Sequence, residues 1–419
     1  MKDQKLVYDW NLIGCPEPLT AKKVYLNDET LRDGLQSPTV CDPTIDDKIQ
    51  LMCLMEALGI DMIDIGLPGA GPRAYADVLA LATQISKLRL KIRPNCAART
   101  TIKDIEPIVD VVQKTGVVID AATFLGSSMI RQYVENWTLD DLLRRTEEAV
   151  TFAVSHDLPV MYVTEDTTRA FPDTIKKLYS TAIRCGARHI VLTDTVGHAT
   201  PDGARALVRF VIEEVIGPTG ESVLIGWHGH HDRGLSVMNS LAAVQAGADV
   251  IHGCALGIGE RVGNTPMDQV LVNLKLLGAI DNDLIRLKDY CELASRACKV
   301  PIPPGYPVFG SDAFRTATGV HAAAVIKAFR KGDSGLADSV YSGVPSHMFG
   351  LEQIIDIGPM SGRSNVIFWL EKRGIEATEE RVAAIYSRAK SSDRLLTTQE
   401  VLETINSPVT PLKTGSTLP

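Results

Sequence analysis

From residue 22 to about 280, short runs of apolar and β-branched residues alternate with longer segments whose apolar positions recur every three or four residues. The short runs read as strands, and their near-continuous apolar character suits strands covered on both faces. They are Lys23–Leu31, Met62–Leu67, Leu90–Cys96, Val117–Phe124, Pro159–Thr164, His189–Asp194, Val223–His228 and Asp249–Ala255. The segments that follow them, near 46–58, 73–87, 102–115, 138–156, 173–185, 201–216, 234–247 and 265–278, read as helices. Leu51, Met55 and Leu58 share one face of the first, and Leu139, Leu142, Leu143 and Ala149 mark a face of the fourth. Thr138 before Asp140 and Asp141, and Thr200-Pro201-Asp202, resemble helix starts with a capping hydroxyl and an acidic first turn. Gly59, Gly116, Gly186 and Gly247 each follow a helical segment, where a left-handed cap suits glycine.

Eight such units over some 260 residues match a (β/α)8 barrel. A doubly wound open sheet is the competing arrangement, but its glycine-rich fingerprint is missing after the first strand, where Asp33-Gly34 stands. The expected architecture is therefore α/β, a (β/α)8 TIM barrel over 22–283. An N-terminal extension (1–21) precedes it, and a mainly helical C-terminal part (284–419) follows. Helical patterning continues at 284–298, and the proline cluster Pro301-Ile-Pro-Pro-Gly-Tyr-Pro307 marks the boundary of an appendage. Further helices are expected at Thr316–Arg330 and near 362–374, 378–390 and 397–405, before a mobile tail.

Composition narrows the function classes. The 419 residues are 45% hydrophobic and 22% charged, as in a globular protein with a large core. A net charge of −8 argues against a nucleic-acid surface, so an anionic ligand has to be gripped locally. No signal-peptide run opens the chain and no apolar stretch reaches membrane length. Eight scattered cysteines without a CxxC pair fit reduced thiols and a cytoplasmic setting.

Barrel chemistry collects where strands end. Those ends are polar: Thr30-Leu-Arg-Asp-Gly34, Thr164-Glu-Asp-Thr167, Thr193-Asp-Thr-Val-Gly197, His228-Gly-His230 and Leu256-Gly-Ile-Gly-Glu-Arg-Val-Gly-Asn264. On an extended strand His228 and His230 project to one side, about 7 Å apart, and can close on one divalent metal if a third ligand arrives. Asp33 is the obvious partner, and Asn264 can add an amide oxygen; two histidines and a carboxylate leave coordination positions open. Each residue has a bland alternative. Asp33 can cap the first helical turn, Glu165-Asp166 can be a solvated pair, and the glycines of 257–263 are too loosely patterned for a phosphate loop. His231 faces away from the metal, and His156 and His189 are structural on this reading.

Leu31-Arg-Asp-Gly-Leu-Gln36, the HxH of strand seven and Gly257–Asn264 together resemble the DRE-type TIM-barrel metallolyase superfamily, nearest its 2-isopropylmalate and homocitrate synthase branch, over about residues 22–375. The resemblance implies condensation of acetyl-CoA with an α-keto acid to a 2-alkylmalate-type product plus CoA. It implies a divalent metal (Mg, Mn or Zn) on Asp33, His228 and His230, with Asn264 adding to the site. Arg32 would polarise the substrate oxygen, Glu165 and Glu260 would line the reacting centre, and Thr195 would contact the keto-acid carboxylate, beside Gln36. Thr318-Gly-Val-His321 looks like the synthases' segment that brings a catalytic histidine over the barrel mouth, often that of the partner in a homodimer. Either Glu165 or His321 handles the methyl proton. Arg99 is a candidate to meet a second carboxylate on the keto acid.

Three features depart from the branch: His231 stands where Asp or Asn is usual, the Gln36–Lys48 spacing is one residue long, and Ala122 replaces a histidine at the end of strand four. They fall near the substrate side chain and leave ketoisovalerate, 2-oxoglutarate, pyruvate and phenylpyruvate as alternatives, for isopropylmalate, homocitrate, citramalate and benzylmalate synthases. No leucine-binding regulatory domain is expected after the appendage. A lyase acting on a 3-hydroxy-acyl-CoA is the rival within the superfamily, but it carries a cysteine in the glycine loop where this chain reads Gly257-Ile-Gly-Glu260, although Cys254 lies just upstream. An amidohydrolase would place its HxH on the first strand, not the seventh, and a non-catalytic scaffold would not keep an intact ligand set.

Overall fold

The computed structural model describes residues 6–13, 19 and 22–406. Eight parallel strands close into a barrel in chain order. They are β1 (Tyr25–Asp28), β2 (Met62–Asp64), β3 (Arg93–Arg99), β4 (Asp120–Gly126), β5 (Val160–Glu165), β6 (His189–Asp194), β7 (Leu224–Gly229) and β8 (Val250–Gly253). The ring closes through β1 and β8, paired from Tyr25↔Val250 to Asp28↔Gly253. Closure decides for the barrel against the open sheet. The strands form because both their faces are covered: all six residues of β6 are buried, as are six of the seven in β4.

The helices around the barrel are α1 (Ile45–Ala57), α2 (Pro72–Leu88), α3 (Ile102–Thr115), α4 (Met129–Glu135), α5 (Leu139–Ser155), α6 (Pro172–Arg184), α7 (Pro201–Val211), α8 (Ser236–Gln245) and α9 (Met267–Leu276). Their starts follow the sequence signals. Thr138 and Asp141 form a full capping box on α5, and Thr200 caps α7 by accepting from the Gly203 amide with Pro201 in the first turn. Gly116 ends α3 at φ 68°, a conformation that would strain a side chain, and Gly59, Gly186 and Gly247 also have positive φ.

Several strand limits differ from expectation, and for two of them the cause is plain. β3 begins three residues later than the apolar run suggests, because the Lys91 and Ile92 amides donate to the Glu56 carboxylate instead of to a neighbouring strand. β1 stops at Asp28 because the chain turns there: the Thr30 amide donates to Asp28 Oδ1, and the Arg32 and Gly34 amides donate to the Glu29 carbonyl. That turn carries Arg32 and Asp33 up from the strand end.

The chain divides into two compact units at Pro301 and Ile302, inside the proline cluster. The expected barrel limit at 283 falls short of this division. The helix α10 (Leu287–Cys298) belongs with the barrel, where the Tyr290 hydroxyl donates to the Asp28 carboxylate and meets Thr30 Oγ1 at 3.4 Å. The second unit contains α11 (Gly319–Arg330), α12 (Ser334–Ser339), α13 (Arg363–Glu371), α14 (Glu379–Lys390) and α15 (Thr398–Asn406), with a small parallel pair, β9 (Arg315–Thr316) and β10 (Ile354–Ile355). Its own core gathers Val366, Trp369, Leu370, Val382, Ile385 and Val401. The N-terminal extension is described only in part, and the tail expected to be mobile lies outside the described residues. Among the described residues no helix is long and apolar enough to cross a membrane.

Candidate active site at the barrel mouth

The turn after β1 sets the direction of Asp33. Its side chain caps nothing, although Gly34–Gln36 make a short 3-10 turn directly after it. Oδ1 accepts from Arg32 Nη1 at 2.9 Å, while Oδ2 is buried without a hydrogen-bond partner. That free oxygen lies 3.5 Å from His228 Nε2 and 3.7 Å from His230 Nε2. The three donor atoms lie within 4.8 Å of one another, as ligands about 2.1 Å from one ion do. The two rings sit 5.3 Å apart, one on β7 and one just beyond it.

Asn264 meets His230 through an isolated antiparallel bridge. Its Nδ2 donates to the Ile258 carbonyl at 3.1 Å, which turns the amide, and its Oδ1 is buried without a partner. The glycines before it make this placement possible. Gly263 has φ 100°, and a Cβ there would meet the Gly257 carbonyl oxygen at 1.8 Å; at Gly259 (φ 152°) a Cβ would meet Asn264 Nδ2 at 2.2 Å. The glycine run is thus a device for folding the loop tightly onto Asn264. Arg261 ties the same loop down, pairing with Asp232 at 2.8 Å and donating to the Thr195 carbonyl at 2.6 Å.

Beneath the histidines stands Glu29, which the sequence reading did not single out. Its Oε2 meets His228 Nδ1 at 2.7 Å and its Oε1 meets His252 Nδ1 at 2.9 Å. His228 Nε2 is therefore the nitrogen presented to Asp33, the arrangement in which a carboxylate orients a metal-ligating histidine. Asn27 braces His252 at 3.1 Å and accepts from Asn95 at 2.7 Å, so the support continues down the barrel interior. Burial alone would raise the Glu29 carboxyl, but the neighbouring charges of His228 and His252 hold it well below its usual range.

Arg32 is gripped on three sides: Nε by Asp64 at 2.7 Å, Nη1 by Asp33 at 2.9 Å and Nη2 by Glu29 at 3.4 Å. Burial opposes its charge, but these carboxylates more than offset that and raise its pKa. Asp64 itself is pushed up to about 6, chiefly by burial. Three buried carboxylates against one guanidinium leave excess negative charge, which a cation bound at the mouth would offset. The same field raises His228: burial pulls it down, but the Glu29 charge and hydrogen bond together with the Asp33 charge more than offset that. His230, desolvated and beside His228, is pushed down to about 4 and stays neutral, the state a metal ligand needs.

Both histidines, Asp33, Arg32, Gln36, Glu165, Thr195 and Glu260 line one cavity of about 240 Å³. Thr195 Oγ1 accepts from the Asp166 amide at 2.8 Å, which fixes its hydroxyl. Glu165 is raised by burial, partly offset by Arg131 3.3 Å away. One expected residue is not brought here. Arg99 corrects the expectation of a partner for a second carboxylate: its guanidinium bonds Asp104 at 2.6 and 2.9 Å and is largely exposed. His321 belongs to the second unit, in the first turn of α11, where it stacks on Tyr341 at 4.1 Å. His231 turns from the cavity as expected, with Nδ1 2.6 Å from Ser236 Oγ. His156 is exposed on a helix end instead of being set in an apolar surround, and His189 is buried under the site.

Two inward oxygens without protein partners, Asp33 Oδ2 and Asn264 Oδ1, beside the Nε2 atoms of His228 and His230 suit a divalent cation with open positions. Glu29→Gln keeps the shape and removes the orienting charge. A divalent ion such as Mn2+ should then bind about 10–100-fold more weakly by calorimetric titration. Unchanged affinity would contradict the orienting role.

The sequence profile of the family described as HMGL-like matches residues 23–295. A homocitrate synthase, AksA, from Methanopyrus kandleri is 32% identical over 388 residues, covering 91% of each chain. A 2-isopropylmalate synthase from Sulfurisphaera tokodaii is 30% identical over 381 residues, covering 90% of this chain and 93% of that protein. A probable 2-isopropylmalate synthase, also from Methanopyrus kandleri, is 32% identical over 371 residues, covering 88% and 69%. Among solved structures, the HMG-CoA lyase of Bacillus subtilis superposes with a TM-score of 0.57 at 19% identity, over 67% of this chain and 96% of that one. At that identity the likeness concerns the fold alone.

Proposed function

This chain belongs to the HMGL-like family, and from that premise we propose that it is an acyltransferase that condenses acetyl-CoA with an α-keto acid, forming a 2-alkylmalate-type product and CoA. The observation that carries the reading is the buried Asp33, His228 and His230 donor cluster, with Arg32 locked beside it in the same cavity. The relatives named 2-isopropylmalate and homocitrate synthase supply the reaction class. A divalent cation (Mg, Mn or Zn) held by Asp33, His228, His230 and Asn264 supplies Lewis-acid polarisation of the keto acid when bound.

The chain's own residues do the rest. Thr195 receives the keto-acid carboxylate, with Gln36 at the rim. Arg32 directs its remaining N–H groups at the keto oxygen and stabilises the negative charge that develops there. A base removes a proton from the acetyl methyl, and the enolate carbon forms the new bond to the keto carbon. Water then cleaves the thioester and CoA leaves. Burial raises the Glu165 carboxyl, which strengthens it as a base at the cavity rim. Glu260 lines the same rim. Two further elements rest on the likeness of Thr318–His321 to the synthases' segment: a proton-handling role for His321, and a homodimer. Seven free cysteines among the described residues support a reducing, cytoplasmic setting.

One observation weighs against the lyase alternative. Burial, helped by the Asp33 and Glu29 charges, pushes the Cys254 thiol well above its usual pKa, and it packs with Ile258 and Cys298. A thiol held neutral in an apolar cluster is not a proton-transfer group. The test is thiol release from acetyl-CoA by the purified protein with a divalent metal and a panel of α-keto acids. Release that depends on the keto acid supports the reading. Cleavage of 3-hydroxy-3-methylglutaryl-CoA without keto-acid-dependent release overturns it.

A further inference from the structure

The cavity at the barrel mouth has two unlike halves. Strands β1, β7 and β8 supply the charged half, with Glu29, Arg32, Asp33, His228, His230 and His252. Strands β3 to β6 supply an apolar wall of Ala97, Ala122, Phe124, Met161, Val163 and Val191, rimmed by Glu165, Thr193 and Thr195 at the ends of β5 and β6. Ala122, Met161 and Val191 pack as one buried cluster with Val163 against it. A keto acid bound by its carboxylate and keto oxygen to the charged half must lay its side chain on this wall.

Resting on the reading above, we propose that the substrate is a monocarboxylic α-keto acid with an apolar side chain of at least four carbons, branched or aromatic, and that the wall from β3 to β6 selects it. Two observations carry this. The first is charge. Among the described residues Arg32 is the only Lys or Arg lining the cavity, and it is committed to Asp64, Asp33 and Glu29. Arg99 bonds Asp104 instead. A second carboxylate on the substrate would lie unpaired against Phe124, Met161 and Val163, at a cost of several kcal/mol.

The second observation is size. Ala97 and Ala122 are direct partners on neighbouring strands, both nearly fully buried, so two methyl groups face the cavity where larger side chains would fill it. Ala122 is in turn opposite Met161, whose unbranched chain adapts to what it touches. A one-carbon side chain leaves this notch empty, while each added methylene buried there contributes about 0.8 kcal/mol. Ala121, next along β4, is also fully buried, but alternation turns it to the other face of the strand, so it adds no room.

The experiment measures kcat/KM by thiol release with acetyl-CoA, a divalent metal and five keto acids. These are pyruvate, 3-methyl-2-oxobutanoate, 4-methyl-2-oxopentanoate, phenylpyruvate and 2-oxoglutarate. One of the two larger apolar acids should be best, at least about tenfold above pyruvate, the discrimination an apolar pocket achieves per methylene or two. It should exceed 2-oxoglutarate by at least about a hundredfold. Ala122→Phe should move the ratio at least about tenfold toward pyruvate, and the milder Ala122→Val should move it in the same direction. A best substrate among pyruvate, 3-methyl-2-oxobutanoate and 2-oxoglutarate overturns the inference and leaves the condensation standing. So do unchanged ratios in a folded Ala122 variant. Thiol release with none of the five overturns the condensation reading itself, and the inference with it.

Discussion

Replacing His228 with alanine is expected to lower turnover at least about a thousandfold, some 4 kcal/mol of transition-state stabilisation. The substitution removes the residue that connects the two parts of the site. On one side His228 Nε2 faces the unpartnered Asp33 oxygen at 3.5 Å, and on the other Nδ1 holds Glu29 at 2.7 Å. Divalent-ion binding by calorimetry should disappear with the activity. Breaking a buried charge-bearing contact also destabilises, by up to about 3–5 kcal/mol, so circular dichroism at the assay temperature must show a folded protein. Glu29 keeps His252 and Arg32 as partners, which favours survival of the fold. A folded variant that retains full ion affinity and turnover would remove His228 from the site.

Arg32→Lys carries the second largest effect. The charge remains, but the fork that reaches Asp64, Asp33 and Glu29 at once is lost, because an ammonium is a point donor on a flexible stem. Loss of one preorganised donor to a developing oxyanion costs about 10²–10³ in kcat. KM for acetyl-CoA should change little, because the contact forms with the keto oxygen. Thermal stability should fall slightly, since Asp64 is already raised by burial and loses its best partner. A kcat within threefold of the parent protein would show that Arg32 is only a structural counter-ion.

Much of the barrel could be read from the sequence because parallel strands sealed on both faces are continuous apolar runs, as His189–Asp194 is. The site could be read where chemistry breaks those runs at strand ends, as Arg32-Asp33 and His228-Gly-His230 do. Other features were hidden for definite reasons. Glu29 sits two residues before the Leu31–Gln36 motif and looks like part of an acidic strand end, and only the alternation that turns Asn27 and Glu29 inward and Asp28 toward Tyr290 shows its use. Asp64 and His252 act through Arg32 and Glu29, long-range contacts that no spacing encodes. Helix α4 is only seven residues long, so its apolar face of Met129, Ile130, Tyr133 and Val134, exposed in the structure, repeats over too few turns to stand out as a helix. Arg99 stands at the end of β3, where the sequence puts it, but its direction was hidden, because Asp104 in the following helix takes its guanidinium.

The measurement that tests the central claim most directly is thiol release from acetyl-CoA with a branched or aromatic α-keto acid, before and after exhaustive chelation, followed by titration with Mn2+ and metal analysis of each sample. The cluster of Asp33, His228, His230 and Asn264 predicts that release stops on chelation and returns as about one ion binds per chain. Undiminished release from metal-free protein would contradict it.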